Sequence, residues 1–383
     1  MGRKPRIFVI AGEPSADMHA AMLGEALREA APVTLAGVGQ SRMQEAGFDL
    51  VFDSTGWSGI GVIESLKRVP MLFIRMRQLT AHLIGEPPDL LVLIDFGAFN
   101  VRLARRVRER LGCPVLYYFP PRSWSRDADY TGMAGLVDRV ATPFPWSESR
   151  LREAGIDGTW VGHPVVDRIR PLSAEDRRAL QEKLHVEDAG TLLGLLPGSR
   201  RTEIRCGGVE MLEAAAEIAG ADDDLKILLS VAPSVPEEML REQVERFGLT
   251  DRTALVRGLR EIVQASDLVI ATSGTATLET AAAACPMVIV YAGTWLMSIE
   301  KRLRRFVVPY VGMPNIIADE EVVPELLDRD AVAPEIARTA LDLLGNEAAM
   351  ARMRERLLAV REQLGQPGVS SRVAQMALEM IST

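Results

Sequence analysis

Short apolar runs alternate along the chain with longer amphipathic stretches, the pattern of buried parallel strands separated by covering helices. Strands are expected at residues 7–11, 33–38, 90–95, 115–119, 137–141 and 160–161. After residues 165–171 the pattern restarts, with strands expected at 192–196, 227–231, 254–256, 268–271 and 287–291. The expected fold is therefore α/β, with two Rossmann-like, doubly wound domains over residues 1–165 and 166–346. From 347 to 383 the periodicity is helical, and these C-terminal helices can pack back on the first domain. No fixed-period repeat or low-complexity tract breaks the pattern.

Composition narrows the classes. The chain has 383 residues, about half of them apolar and a quarter charged, which suits a globular protein with a sizeable core. A net charge of −8 argues against a general nucleic-acid binder. The three cysteines, Cys113, Cys206 and Cys285, form no CxxC pair, so neither a disulfide framework nor a zinc site is expected and a reducing cytoplasm fits. His19, His82, His163 and His185 have no metal-ligand spacing, and no metal or cofactor is called for. The N-terminal apolar run is too short for a signal or a membrane span, and no run elsewhere is long enough to cross a bilayer.

Three junctions carry candidate chemistry. In LLPGSRRTEI, residues 195–204, a strand ends in Gly198 and Ser199 as a helix begins. Backbone N–H groups, the helix dipole and Arg200 could converge there on a diphosphate, with Glu203 orienting the arginine. Ser199 and Glu203 are equally readable as a capping box. ATSGTATLE, residues 271–279, repeats the device: Ser273, Gly274 and Thr275 at a helix start, and Glu279 one turn on, where a carboxylate can take ribose hydroxyls. Its small residues also suit close helix–sheet packing.

The third junction, AGEPSAD, follows the first strand at the edge where open α/β sheets bind ligands, so Gly12, Glu13, Ser15 and Asp17 are cleft candidates. Asp17 also reads as a helix-start carboxylate. The absence of GxGxxG argues against a dinucleotide. Asp95, ending the strand in LIDFGAFN, is a candidate general base or a helix cap. His163 in VGHPVVD is either a ligand contact or a packing residue at the crossing between domains. VPMLFIRMRQL (69–79) and TWLMSIEKRLRRFVVPYV (294–311) combine apolar and basic residues, as membrane-surface segments or as ordinary packed helices with basic faces.

Taken in order, AGEPSAD, GVGQSRMQEAG, GIGVIESL, IDFGAFN, VGHPVVD, LLPGSRRTEI, SGTATLE, CPMVIVY and MPNIIADEEVVPELL resemble the lipid-A-disaccharide synthase family over nearly the whole chain. The resemblance implies a GT-B fold, two Rossmann-like domains facing across a cleft, with UDP on the C-terminal one and an acylated sugar toward the N-terminal one. It implies inverting transfer without a metal, from UDP-2,3-diacylglucosamine to 2,3-diacylglucosamine 1-phosphate, giving a β-1,6 disaccharide and UDP. It makes Asp95 the base, Arg200 and Glu203 part of a phosphate loop, Ser273, Thr275 and Glu279 a nucleotide helix, and Asn315 a UDP contact. It implies a cytoplasmic enzyme working at the inner face of the inner membrane, and is compatible with a homodimer. A GT-B transferase for another UDP-sugar, or a non-catalytic UDP-sugar- or lipid-binding paralogue, are the alternatives. The chain departs from the family pattern at Ala16, at Gly97 and Ala98, over residues 119–127, and at Glu320 and Asp328.

Overall fold

The computed structural model describes residues 3–57, 62–291 and 309–382, with the backbone alone for 62–67 and Thr202. Two compact units emerge, Met1–Asp167 together with Leu364–Thr383, and Arg168–Gln363. The expected 347–383 segment is thus divided: the Glu347–Gln363 helix belongs to the second unit and the Val369–Ser382 helix to the first.

The first unit is a seven-stranded parallel sheet of β1 (Arg6–Ala11), β2 (Thr34–Gly39), β3 (Asp49–Asp53), β4 (Leu90–Ile94), β5 (Val115–Tyr118), β6 (Arg139–Thr142) and β7 (Asp157–Trp160). Their order is β3-β2-β1-β4-β5-β6-β7. Central strands such as LLVLI in β4 and VLYY in β5 are buried along their whole length, because helices cover both sheet faces. The edge strand β3 escapes the sequence pattern since DLVFD is half-buried rather than continuously apolar.

The closing helix Val369–Ser382 packs on the Pro14–Ala30 helix. Asp167 fixes its start: the carboxylate accepts hydrogen bonds from the backbone N–H of Gly368 (2.6 Å), Val369 (3.0 Å) and Ser370 (3.4 Å). A carboxylate at a helix N-terminus also suits the dipole.

The second unit repeats the plan with six parallel strands, β8 (Thr191–Leu196), β9 (Leu225–Ser230), β10 (Thr253–Val256), β11 (Leu268–Thr272), β12 (Met287–Tyr291) and β13 (Glu325–Leu327). Their order is β10-β9-β8-β11-β12-β13. The three-residue β13 is too short to show a period. Leu193, Leu195, Ile227, Leu229, Ile270 and Val288 join Met211, Leu212 and Ile218 of the Val209–Ala221 helix in one core.

Both sheets change winding direction once, between β1 and β4 in the first and between β8 and β11 in the second. Loops leaving the carboxyl ends of those strands diverge there and leave the crevice where open α/β sheets bind ligands.

Candidate functional site

In the first unit the loops after β1 and β4 flank this switch point, since Ala11 pairs with Ile94. They carry Gly12 and Glu13 on one side and Asp95 on the other. Asp95 and Phe96 both adopt left-handed backbone conformations, φ 47° and 48°. For non-glycine residues such conformations cost on the order of 1 kcal/mol or more, and the surroundings must enforce them. Here they do. The Asp95 N–H donates to the Tyr118 carbonyl (3.0 Å), and the Asp95 carbonyl accepts from the Tyr117 hydroxyl (2.7 Å) and the Asn100 amide (2.8 Å). With its backbone held at three points, Asp95 has its carboxyl directed by the fold rather than by its own preference. Burial pushes that carboxyl above the ordinary aspartate value, partly offset by a bond from the Phe96 N–H. A weaker acid is a stronger base once ionised.

Gly12 has a steric reason to be glycine: a Cβ would lie 2.2 Å from the Phe96 ring. Glu13 caps the Pro14–Ala30 helix through its backbone, and Ser15 is half-buried in the first turn. Asp17 is 2% exposed and accepts from the backbone N–H of Gln40 (2.6 Å), Arg42 (3.1 Å) and Met43 (3.3 Å). The cleft assignment for Asp17 therefore gives way to a structural one: its carboxylate caps the Ser41–Glu45 helix. His163 Nδ1 accepts from the Val165 N–H (3.1 Å), so a neutral ring carries its proton on Nε2. That ring meets Phe119 edge-on at 5.2 Å, and Phe119 stacks on His19 at 4.6 Å.

In the second unit the same arrangement recurs after β8 and β11, whose ends Leu196 and Ala271 are paired. Gly198 has φ 108°, and a Cβ there would strike the Glu203 carboxylate at 2.4 Å. Glu203 accepts from the backbone N–H of Ser199 (2.8 Å) and Arg200 (3.2 Å), and its other oxygen pairs with the Arg200 guanidinium. The two N–H groups expected to meet a diphosphate are thus closed by the chain's own carboxylate; the cap falls on Arg200 rather than Ser199, and its backbone N–H is one of the donors the anion site would use. A π-turn at Ile204–Gly208 follows before regular helix resumes at Val209.

The second turn centres on Gly274 (φ 149°), a conformation essentially reserved for glycine. Ser273 Oγ donates to the Val311 carbonyl (3.0 Å), and Thr275 is exposed at the first helical position. Glu279 is 8% exposed and pairs with Arg168 at 2.8 Å. Arg168 went unremarked in the sequence, lying 111 positions away.

Asn315 lies in a dense set of internal bonds. It is fully buried, its Nδ2 donates to Val323 O (2.8 Å) and Glu325 Oε1 (2.8 Å), and its Oδ1 accepts from the N–H of Val322 (2.7 Å) and Val323 (3.0 Å). That uses an amide's full capacity, two donors and two lone pairs, within the chain itself. Glu325 also accepts from the N–H of Val311 (2.9 Å) and Gly312 (2.8 Å), so the pair sets where the Met313–Ala318 helix starts.

Against this geometry, a family model described as lipid-A-disaccharide synthetase matches residues 7–380. Curated lipid-A-disaccharide synthases align across almost the full length. That of Geobacter sulfurreducens is 37% identical, covering 98% of this chain and 97% of its own, and that of Myxococcus xanthus is 35% identical, covering 100% and 99%. The chain belongs to the lipid-A-disaccharide synthase family. It is a glycosyltransferase of GT-B fold. Solved structures share that fold at low identity. An S. aureus MnaA–UDP complex has TM-score 0.68 at 14% identity over 99% of this chain and 98% of that one, and the calicheamicin glycosyltransferase CalG4 has 0.62 at 13% over 100% and 99%.

Departures from the synthase pattern now have locations. Gly97 and the 119–127 stretch touch: a Cβ at Gly97 would lie 2.5 Å from Pro121, so two deviations occupy one contact. Within that stretch Phe119 and Arg122 are also left-handed (both φ 60°), and the Ser123 carbonyl accepts from Trp146 Nε1 (3.0 Å) and Ser147 Oγ (2.9 Å). Ala16 is buried, Asp328 is left-handed at φ 51°, and Glu320 makes an exposed pair with Arg356 (3.0 Å). Among the described residues no His, Cys, Asp and Glu group is arranged to hold a metal ion, and no helix is long and apolar enough to cross a membrane. Of the basic apolar stretches, 69–79 falls on the Val62–Gly85 helix, with Met76 and Leu79 inward and Val69, Phe73 and Ile74 exposed. Most of 294–311 lies outside the described residues.

Proposed function

We propose that this synthase joins UDP-2,3-diacylglucosamine to 2,3-diacylglucosamine 1-phosphate, with Asp95 as the base. The acceptor's 6-hydroxyl oxygen bonds to the donor's anomeric carbon, and its proton passes to the Asp95 carboxylate. The bond from that carbon to the diphosphate breaks on the opposite face, the electron pair leaves with UDP, and an α-linked donor yields a β-1,6 disaccharide. Donors already aligned on the leaving diphosphate lower the barrier more than groups that must reorganise. The turns at Gly198–Arg200 and Ser273–Thr275 are the candidates for that role, with Glu203 giving up its N–H partners as the diphosphate arrives. Asn315 and Glu325 act behind them by holding the Gly312–Met313 turn. The exposed apolar residues of the Val62–Gly85 helix support a peripheral contact with the inner face of the inner membrane.

One observation carries the assignment of the base: a carboxyl of raised pKa, at the switch point of the first sheet, on a strained turn pinned at three backbone contacts. The test is incubation with UDP-diacylglucosamine and a panel of acylated and non-acylated acceptors, with products read by mass spectrometry. Disaccharide and UDP in equal amounts from the acylated phosphate acceptor are expected. Exclusive glycosylation of another acceptor would move the chain to a different substrate, and absence of product with every acceptor would leave a binding protein.

A further inference from the structure

The Thr275–Ala282 helix of the second unit holds its one carboxylate, Glu279, largely inward. Glu279 stands four residues beyond Thr275 on the same face, about 6 Å along the axis from the end proposed to meet the diphosphate. Among the described residues its carboxylate accepts from one side chain alone, Nη1 of Arg168 at 2.8 Å. A carboxylate has about four lone-pair sites, so the chain itself uses a minority of them. Arg168 belongs to the same unit, yet it reaches Glu279 from 111 positions away, at the end of the short Val165–Arg168 helix. The side chains are 28% and 10% exposed, so the pair meets water at its edge.

Arg168 is not needed as a fastener. The two residues after it are already fixed through their backbone. Arg361 Nη1 donates to the Ile169 carbonyl (2.7 Å) and to the Ala282 carbonyl (2.9 Å), bridging this segment to the last turn of the Glu279 helix, and Gln264 Nε2 donates to the Arg170 carbonyl (2.7 Å). The Arg168 backbone is thereby set beside that helix whatever its side chain does. A largely buried ion pair adds little net stability, because taking both charges from water costs about what their attraction returns. What the bond does fix is orientation: with one oxygen tied, a rotating carboxylate becomes a directed acceptor. A vicinal diol brings two O–H donors to one carboxylate, and in a nucleotide that diol belongs to the ribose next to the diphosphate. We propose that Arg168 is a positioning residue for the donor, holding Glu279 so that its carboxylate receives both ribose hydroxyls of the UDP moiety. The proposal rests on the nucleotide reading above and adds to it a residue outside the two turns.

Calorimetry with uridine diphosphate and with its 2′,3′-dideoxy analogue tests this in the wild type, Arg168→Gln and Arg168→Lys. Wild-type protein is expected to prefer the diol by about tenfold or more, the cost of losing hydrogen bonds to a charged acceptor. Arg168→Gln should weaken uridine diphosphate by about the same factor and leave the dideoxy analogue as it is, so that the preference flattens. Arg168→Lys returns a cation to the same oxygen without the planar fork, and should restore part of the preference. It also gives a reading where the glutamine variant is too unstable to measure. A residue that only stabilised the helix would weaken both nucleotides alike. An undiminished diol preference in both variants would overturn the role of Arg168 and leave the nucleotide site standing. Wild-type protein that binds both nucleotides equally would take Glu279 away from the ribose, and the proposal with it. Wild-type protein that binds neither would refute the nucleotide reading itself.

Discussion

The two sheets share a winding order, yet their switch points are built by opposite means. In the first unit, left-handed backbone falls on Asp95 and Phe96 after β4 and on Phe119 and Arg122 beyond β5, all residues with side chains. In the second, the same demand after β8 and β11 falls on Gly198 and Gly274. The contrast follows from which part of the residue does the work. In the proposed reaction Asp95 acts through its carboxylate, so that position cannot be glycine and its strain must be offset by surrounding contacts. In the same proposal the diphosphate meets backbone N–H groups, so the side chain is best absent.

The largest effect that separates the two regions is Asp95→Asn. Transfer should fall by roughly 10²- to 10⁴-fold, as expected on removing a general base, while UDP affinity by calorimetry stays unchanged. A loss of UDP binding equal to the loss of turnover would remove the distinction between the units.

Next comes Asn315→Leu, which strands the partners of four buried bonds and should lower the urea-unfolding stability of the protein by about 3 kcal/mol. A neutral result would overturn the structural role given to its four bonds.

Gly274→Ala should cost about 1–3 kcal/mol through backbone strain alone, because a Cβ there meets nothing within 4 Å. Thermal unfolding reads it. The absence of a clash makes it a cleaner probe of conformation than Gly198→Ala, where the Glu203 carboxylate is in the way.

The smallest expected change, about 1 kcal/mol in stability, belongs to Tyr117→Phe, which removes one of the three clamps on Asp95. Its diagnostic is a drop in kcat with little change in donor KM.

The pH dependence sharpens the same contrast. Burial raises the Asp95 carboxyl, so it binds its proton more tightly folded than unfolded. Its favourable contribution is complete below the ordinary aspartate value and is lost as pH rises through the raised one. Ionised Asp95 therefore burdens the fold at neutral pH, and Asp95→Asn should be more stable than wild type there, with the gain fading on acidification. The acid limb of kcat/KM should fall above the ordinary carboxylate range. Denaturant midpoints and rates across pH check both.

Much of this was legible in the chain. Continuous apolar runs identified the central strands of both sheets, because burial on both faces leaves no room for polar alternation. Strand-end turns such as PGS and SGT announced themselves through glycine, and Asp95 stood out as a carboxylate at the end of an apolar run. Half-buried β3 and three-residue β13 were not legible, since neither has a period to detect.

Sequence thus determined the elements, the parallel architecture and the turns where chemistry is concentrated, because each depends on residues near one another in the chain. Tertiary structure decided which polar groups are already committed. Asp17 to a helix 23 positions on, Glu279 to Arg168, Asn315 to Glu325 and Asp167 to the closing helix are pairings set by folding. A carboxylate reads the same in sequence whether it awaits a ligand or already holds backbone N–H groups. Only the packed chain shows which buried polar groups have satisfied one another, since leaving them unpaired would cost more than the fold's margin allows.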